Sequence, residues 1–148
     1  FYGKNRFQKK LFGKLAVRDH KAMDTYVKEQ IQRLEIKCEN LSQYTRELSG
    51  GNQQKVCIAR AIATEPDILF IMEPTRGVDI GAKEKILDTL VRMNEERGTT
   101  LVVASSELEE LKRISDRIVV FCEGKISGIL SPQAKEEKFA LAYTGEEV

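Results

Sequence analysis

The run Leu48-Ser49-Gly50-Gly51-Asn52-Gln53-Gln54-Lys55-Val56 decides how the rest of the chain reads. Ser49-Gly50-Gly51 is a helix-start signal, and the spacing predicts a helix from Asn52 to Thr64, stopped by Pro66. Two adjacent glycines let the backbone approach a ligand with no Cβ in the way. The helix that starts there directs its unpaired N–H groups, and about half a positive charge, at the loop. Ser49 adds a hydroxyl. Together these make an anion site suited to a phosphate. Ser-Gly-Gly alone would also fit an ordinary capped helix.

Upstream, Asp19 is a plausible N-cap for a helix running to about Lys37. Met23, Tyr26, Val27, Ile31 and Leu34 form one apolar stripe on it. Within the second helix, the small row Val56, Ala59, Ala63 allows close packing. The first 65 residues read as purely helical. Downstream the pattern changes. Ile68-Leu69-Phe70-Ile71-Met72 is a continuous apolar run, expected as a strand covered on both faces. A helix from Ala82 to Arg97 follows, with Ile86, Leu87, Leu90 and Met93 inward and Gly98 as its stop. Strands are expected at 100–104, 118–122 and 126–130, with a short helix over 107–114. Ser131 and Pro132 are expected to open a last helix. The alternation implies an α/β layer with a largely parallel sheet and one antiparallel edge hairpin.

Composition bounds the function. The 148 residues carry a net charge of +1, with 41% hydrophobic and 32% charged residues. That excludes a disordered chain, and a wholesale nucleic-acid binder would be more basic. No apolar run approaches the roughly eighteen residues that span a bilayer. Three scattered cysteines and the single His20 make no zinc pattern and suit a reducing, cytoplasmic setting. Residues 1–18 hold six basic side chains, Lys4, Arg6, Lys9, Lys10, Lys14 and Arg18, and no acidic one. Phe1, Tyr2, Phe7 and Phe12 are interleaved with them. This basic leading segment reads either as a solvated end or as a stretch lying near a membrane or an acidic partner. Residues 19–148 carry a net charge of −5.

The nine-residue run closely resembles the signature motif of ATP-binding cassette ATPases, in the wording of sugar importers of the ribose and galactose type. Other stretches continue the likeness. Pro66 to Thr75 sits where the family has its Walker B strand. Arg76-Gly77-Val78-Asp79-Ile80-Gly81-Ala82-Lys83 looks like its D-loop. Ser105-Ser106-Glu107 falls at the switch loop, and Gly124-Lys125-Ile126-Ser127-Gly128 fits the terminal hairpin. The resemblance covers roughly residues 20–145. It implies a partial P-loop-NTPase-like core over 66–148, preceded by a helical subdomain over 19–65, and the C-terminal part of a second cassette.

In the family, two cassettes close head to tail around two ATP molecules. The resemblance therefore gives Ser49, Gly50, Gly51, Asn52 and Gln53 a nucleotide contact in trans, on ATP bound by a partner cassette. It makes Glu73 the general base that polarises the attacking water. It places Asp79 at the dimer seam and Ser106 at the switch-loop position. It implies ATP and Mg²⁺ in the complete dimeric site, and a membrane permease as partner. The parent ATPase would then lie on the inner face of the cell membrane.

Three departures qualify this. A P-loop built on Gly13-Lys14 would need Gly at position 8 and Ser or Thr at 15, where Gln8 and Leu15 stand. Met72 occupies the place of the Walker B aspartate, and a thioether is a poor ligand for a hard cation, so no metal ligand is assigned. Either this site is degenerate or the magnesium is held otherwise, and the plainer account of Met72 is that it packs in the core. Ser106 stands where many members have His, and a serine is no proton acceptor near neutral pH. The expectation is a fragment, beginning at Phe1 rather than Met, of a sugar-importer ATPase. In isolation it should not hold ATP tightly or hydrolyse it. Its incomplete sheet should seek a partner. The alternatives are a non-enzymatic, degenerate cassette that regulates a partner, and the ATPase of a nucleoside importer.

Overall fold

The computed structural model describes residues 8–11 and 15–146. The Gly13-Lys14 pair lies outside the described residues, as do Phe1, Tyr2, Lys4, Arg6, Phe7 and Phe12 of the basic leading segment. The chain forms two compact units, Phe1–Val102 and Val103–Val148.

The first unit opens with an antiparallel hairpin, β1 (Gln8–Leu11) and β2 (Leu15–Arg18), in the register Gln8 to Arg18 and Leu11 to Leu15. The expectation of a purely helical first 65 residues is corrected here. A four-residue strand such as Gln-Lys-Lys-Leu has too little alternation to announce itself. Helix α1 (His20–Arg33) follows, and the Asp19 carboxylate caps it by accepting the Ala22 N–H at 3.1 Å. It ends at Leu34, earlier than expected, because Glu35 takes a left-handed φ of 49°. A short 3₁₀ turn (Thr45–Glu47) leads into α2 (Gly50–Ala63).

Strand β3 (Ile68–Met72) pairs with β4 (Thr100–Ala104), and α3 (Ile80–Arg97) crosses between them. The pair is parallel, as one strand–helix–strand unit requires. Its start is pinned by Thr100 N–H donating to Asp67 O at 2.8 Å and by the Thr99 hydroxyl donating to Pro66 O at 3.1 Å. The core of the unit is Ile58 and Ile62 of α2, Val78, and Ala82, Ile86, Leu90 and Met93 of α3. Leu69, Ile71 and Leu101 pack against it from the sheet. Gly98 closes α3 in the left-handed conformation, as expected.

Strand β3 departs from expectation. Only Leu69 and Ile71 face the core, while Ile68, Phe70 and Met72 are exposed. Met72 is 79% exposed, so it does not pack in the core. A continuous apolar run shows that both faces suit burial, and here one face is left open. The small row of α2 also turned out differently. Lys55, Ile58 and Ile62 are its buried residues, whereas Val56, Ala59 and Ala63 line a groove opposite Tyr26, Val27 and Ile31 of α1.

In the second unit, Glu107 precedes α4 (Leu108–Ile114), and β5 (Ile118–Cys122) pairs antiparallel with β6 (Lys125–Leu130). Helix α5 (Glu136–Thr144) covers this hairpin. Ile118, Val120, Leu130, Phe139 and Ala142 form the core. The last helix does not begin at Ser131-Pro132. The Ser131 hydroxyl instead accepts the Gln133 N–H in a local turn, and Lys135 is the N-cap.

Candidate functional site

The first turn of α2 and the loop before α3 enclose an open recess of about 330 Å³. Lys37, Ser49, Gly50, Gly51, Asn52, Lys55, Gly77 and Asp79 line it. Four of the five signature residues singled out from sequence are thus together, and Asp79 joins them. Gln53 does not line the recess. Its side-chain amide donates to Leu48 O at 2.8 Å and braces the helix start.

Ser49 is the N-cap of α2, with extended φ/ψ, yet its side chain makes no capping bond to the helix. Its Oγ accepts from Asn52 Nδ2 at 2.9 Å. Asn52 Oδ1 in turn accepts the backbone N–H of Lys37 at 2.9 Å. The short segment 35–37 therefore reaches the helix start, and a second tie holds it there. Lys55 Nζ donates to Glu35 O at 3.1 Å. Lys55 is only 4% exposed, so a cation is buried at the back of the recess. The Glu35 carboxylate pairs with Lys85 of α3. That hydrogen bond and the charge of Lys85 hold the Glu35 carboxyl below its usual range. Lys55 adds to the shift, while slight desolvation and the charge of Asp79 oppose it.

The loop opposite is built tightly. Glu73 ends β3 and takes a left-handed φ of 48°, a strained conformation for a side chain with a Cβ. Gln54 of α2 clasps the backbone here, donating to Glu73 O at 3.2 Å and Pro74 O at 3.3 Å. Val78 N–H donates to Thr75 O at 3.1 Å. Asp79 is the N-cap of α3, its Oδ1 accepting the Ala82 N–H at 3.0 Å. The structural role that an aspartate can play at a helix start is therefore filled, while its side chain also borders the recess.

Met72, one residue before Glu73, presents a thioether to solvent, and a thioether does not suit a hard cation. The glycines, the hydroxyl and the cations of the recess do fit a phosphate, which offers only acceptors. Ser106 belongs to the second unit and is exposed. There it is Ser105 that organises the helix start, accepting the Glu107 N–H at 3.1 Å and donating to the buried Glu110 carboxylate at 3.2 Å.

Lys37, Lys55 and Gln54 were not singled out from sequence. Lys55 and Gln54 stand inside the quoted run, so a polar residue beside a predicted buried row was the available signal. Lys37 had none, because a backbone N–H reaching an asparagine fifteen residues later leaves no mark in a sequence.

Known proteins resemble this chain in sequence and in fold. The family model described as ABC transporter matches residues 4–76. The ribose import ATP-binding protein RbsA of Bacillus subtilis is 47% identical over 128 residues, which are 86% of this chain and 26% of that protein. The protein of the same name from Lactococcus lactis is 44% identical over 130 residues, covering 86% and 26%. The chain thus spans about a quarter of the length of these curated relatives. A dimeric structure of a bacterial ABC transporter cassette superposes with a TM-score of 0.72 at 28% identity, covering 84% of this chain and 53% of that one. A second structure of that cassette, in a post-hydrolysis state bound to ADP and Pi, has a TM-score of 0.72 at 27% identity with the same coverage.

Proposed function

We propose that the chain, similar in sequence to ABC transporter ATPases and in fold to about half of a solved cassette, supplies one side of a shared ATP site in a sugar importer. The recess would close on the terminal phosphate of an ATP molecule held by a partner cassette. The observation that carries this reading is the recess itself. A helix N-terminus, two glycines, the Ser49 hydroxyl and the buried Lys55 cation converge on one space. Gly50 and Gly51 would let the phosphate approach the backbone N–H groups. Ser49 would donate to it, and Asn52 and Gln53 would hold that turn in shape. Asp79 would lie at the seam between the cassettes.

Glu73 is the general base in this reading, polarising a water molecule for attack on a phosphate bound by this chain's own cassette. Gln54 and the strained turn hold its backbone. Magnesium would neutralise charge on the phosphates, entering with the nucleotide rather than through Met72. Ser106 would approach a phosphate as a hydrogen-bond donor and not as a base. The sugar-import role follows the ribose import relatives. The partners are then a second cassette and a membrane permease. No helix among the described residues is long and apolar enough to cross a membrane. The membrane association would be indirect, on the cytoplasmic face. A second reading is favoured by the exposed Met72: this chain's own site is degenerate, and only its contribution in trans remains.

Nucleotide binding tests the proposal. The chain alone should not bind ATP tightly, and should associate with a P-loop-bearing cassette when ATP is present. Ser49→Arg, which fills the recess, should abolish that association. Tight ATP binding by the chain alone, or association unchanged in Ser49→Arg, would overturn the reading.

A further inference from the structure

The proposed phosphate contact depends on a detail that the motif does not contain: which way the Ser49 hydroxyl points its proton. A serine hydroxyl can donate or accept, and a phosphate needs a donor. The hydrogen-bond chain at the helix start decides between them. The backbone N–H of Lys37 can only donate, so the atom of Asn52 that faces it, at 2.9 Å, must be the carbonyl oxygen. The amide nitrogen of Asn52 therefore faces Ser49, and Oγ accepts from it at 2.9 Å. An oxygen that accepts there turns its own proton elsewhere. Ser49 does not use its side chain to cap α2, and it borders the recess.

The chain is anchored at its far end. Ile36 is 7% exposed, and its N–H donates to Ile31 O at 2.9 Å, locking the segment onto the end of α1. Glu35, one residue earlier, is held through its carbonyl by Lys55 and through its carboxylate by Lys85. The Lys37 N–H thus has little freedom to turn away.

We propose that Asn52 is a positioning residue that, held by the Lys37 backbone, commits the Ser49 hydroxyl to donating into the recess and so selects an acceptor-only terminal phosphate. This rests on the phosphate-capping function proposed above. It also makes the 35–37 segment part of the site's specificity, although only Lys37 of that segment borders the recess. The relevant ligand class is a fully ionised phosphate with a free terminal group.

The test is a double-mutant cycle on association between the chain and a P-loop-bearing cassette, read by sedimentation with ATP and with ADP. Ser49→Ala should weaken ATP-driven association about tenfold, the effect of losing one hydrogen bond to a charged group. Asn52→Ala should weaken it by a similar factor and lower the preference for ATP over ADP. The double variant should be no worse than Ser49→Ala. A merely structural role for Asn52 would weaken both nucleotide states alike and add to Ser49→Ala, which would overturn the relay. If Ser49→Ala itself changes nothing, the phosphate-capping function fails and the relay fails with it. Thermal melting checks each variant. If Asn52→Ala does not fold, Asn52→Leu takes its place in the cycle. It keeps a similar volume, removes both the acceptor for Lys37 and the donor facing Ser49 without bringing a charge to the recess, and the same non-additivity is required of it.

Discussion

A β-carbon on Gly51 would sit 2.9 Å from the carbonyl oxygen of Gly77. The first turn of α2 and the loop before α3 therefore touch backbone to backbone, with Val78 Cα only 3.5 Å from the same point. Gly50 differs, having open space where its β-carbon would be. Gly51→Ala should force the two segments apart and cost about 1–3 kcal/mol, the range for overpacking. Gly50→Ala should leave stability unchanged or slightly raised, since alanine suits a helix better by up to about 1 kcal/mol. Urea denaturation of the two variants checks this. Equal effects would mean the contact is not formed.

The two faces of the α3–β3 layer should respond very differently to substitution. Ile86 is fully buried at the centre of the first core, so Ile86→Ala should cost about 2–5 kcal/mol. Met72 is exposed, and Met72→Asp should stay within about 0.5 kcal/mol of the parent. A large loss in Met72→Asp, measured by the same denaturation, would restore the expectation that Met72 packs in the core.

The pairing of Glu35 with Lys85 carries a pH signature. The folded-state pKa of Glu35 lies below its ordinary value of 4.5, first because Lys85 hydrogen-bonds the charged form. A depressed carboxylate pKa means stabilisation that is present above the ordinary value and is lost as pH falls through the folded one. Lys85→Met should raise the Glu35 pKa toward 4.5. It should also flatten the dependence of stability on pH below that point. Side-chain NMR titration of Glu35 reads the first effect directly, and an unmoved titration would refute the pairing. Glu35 and Lys85 are both exposed at the surface, so high salt should mute both effects.

The β5–β6 hairpin turns through two residues, Glu123 and Gly124, with φ of 49° and 76°. Both are left-handed, as a type I′ turn demands, and glutamate is an uncomfortable occupant of the first place. Glu123→Asn should stabilise the protein by about 0.5–1 kcal/mol and raise Tm. A thermal melt that shows no gain would mean that Glu123 makes a compensating contact.

The signature turn was legible because its chemistry is contiguous: residues 49–52 stand together in the chain and in the recess. Helix α3 was legible because its inward residues, Ile86, Leu87, Leu90 and Met93, repeat with the helical period and Gly98 marks its end, although it starts at Ile80 behind the Asp79 cap and not at Ala82. The β1–β2 hairpin was not, since two adjacent lysines interrupt its alternation. The open face of β3 was also hidden, because hydrophobicity reports what a strand can bury and not what arrives to bury it. Lys37, Lys55 and Gln54 escaped for a related reason. Each bond has a backbone carbonyl or N–H at one end, a group that every residue possesses, so the sequence does not show which partner Lys37, Lys55 or Gln54 reaches.

Ile68, Phe70 and Met72 of β3 and Val102 of β4 form an uncovered apolar stripe. Quality-control factors in a cell bind such stripes because they mark chains that have not finished folding. Anything that covers the stripe stabilises the native form by mass action. The cellular lifetime of this chain should then follow the supply of that cover more closely than the strength of its own core. Its abundance becomes a readout of stoichiometry.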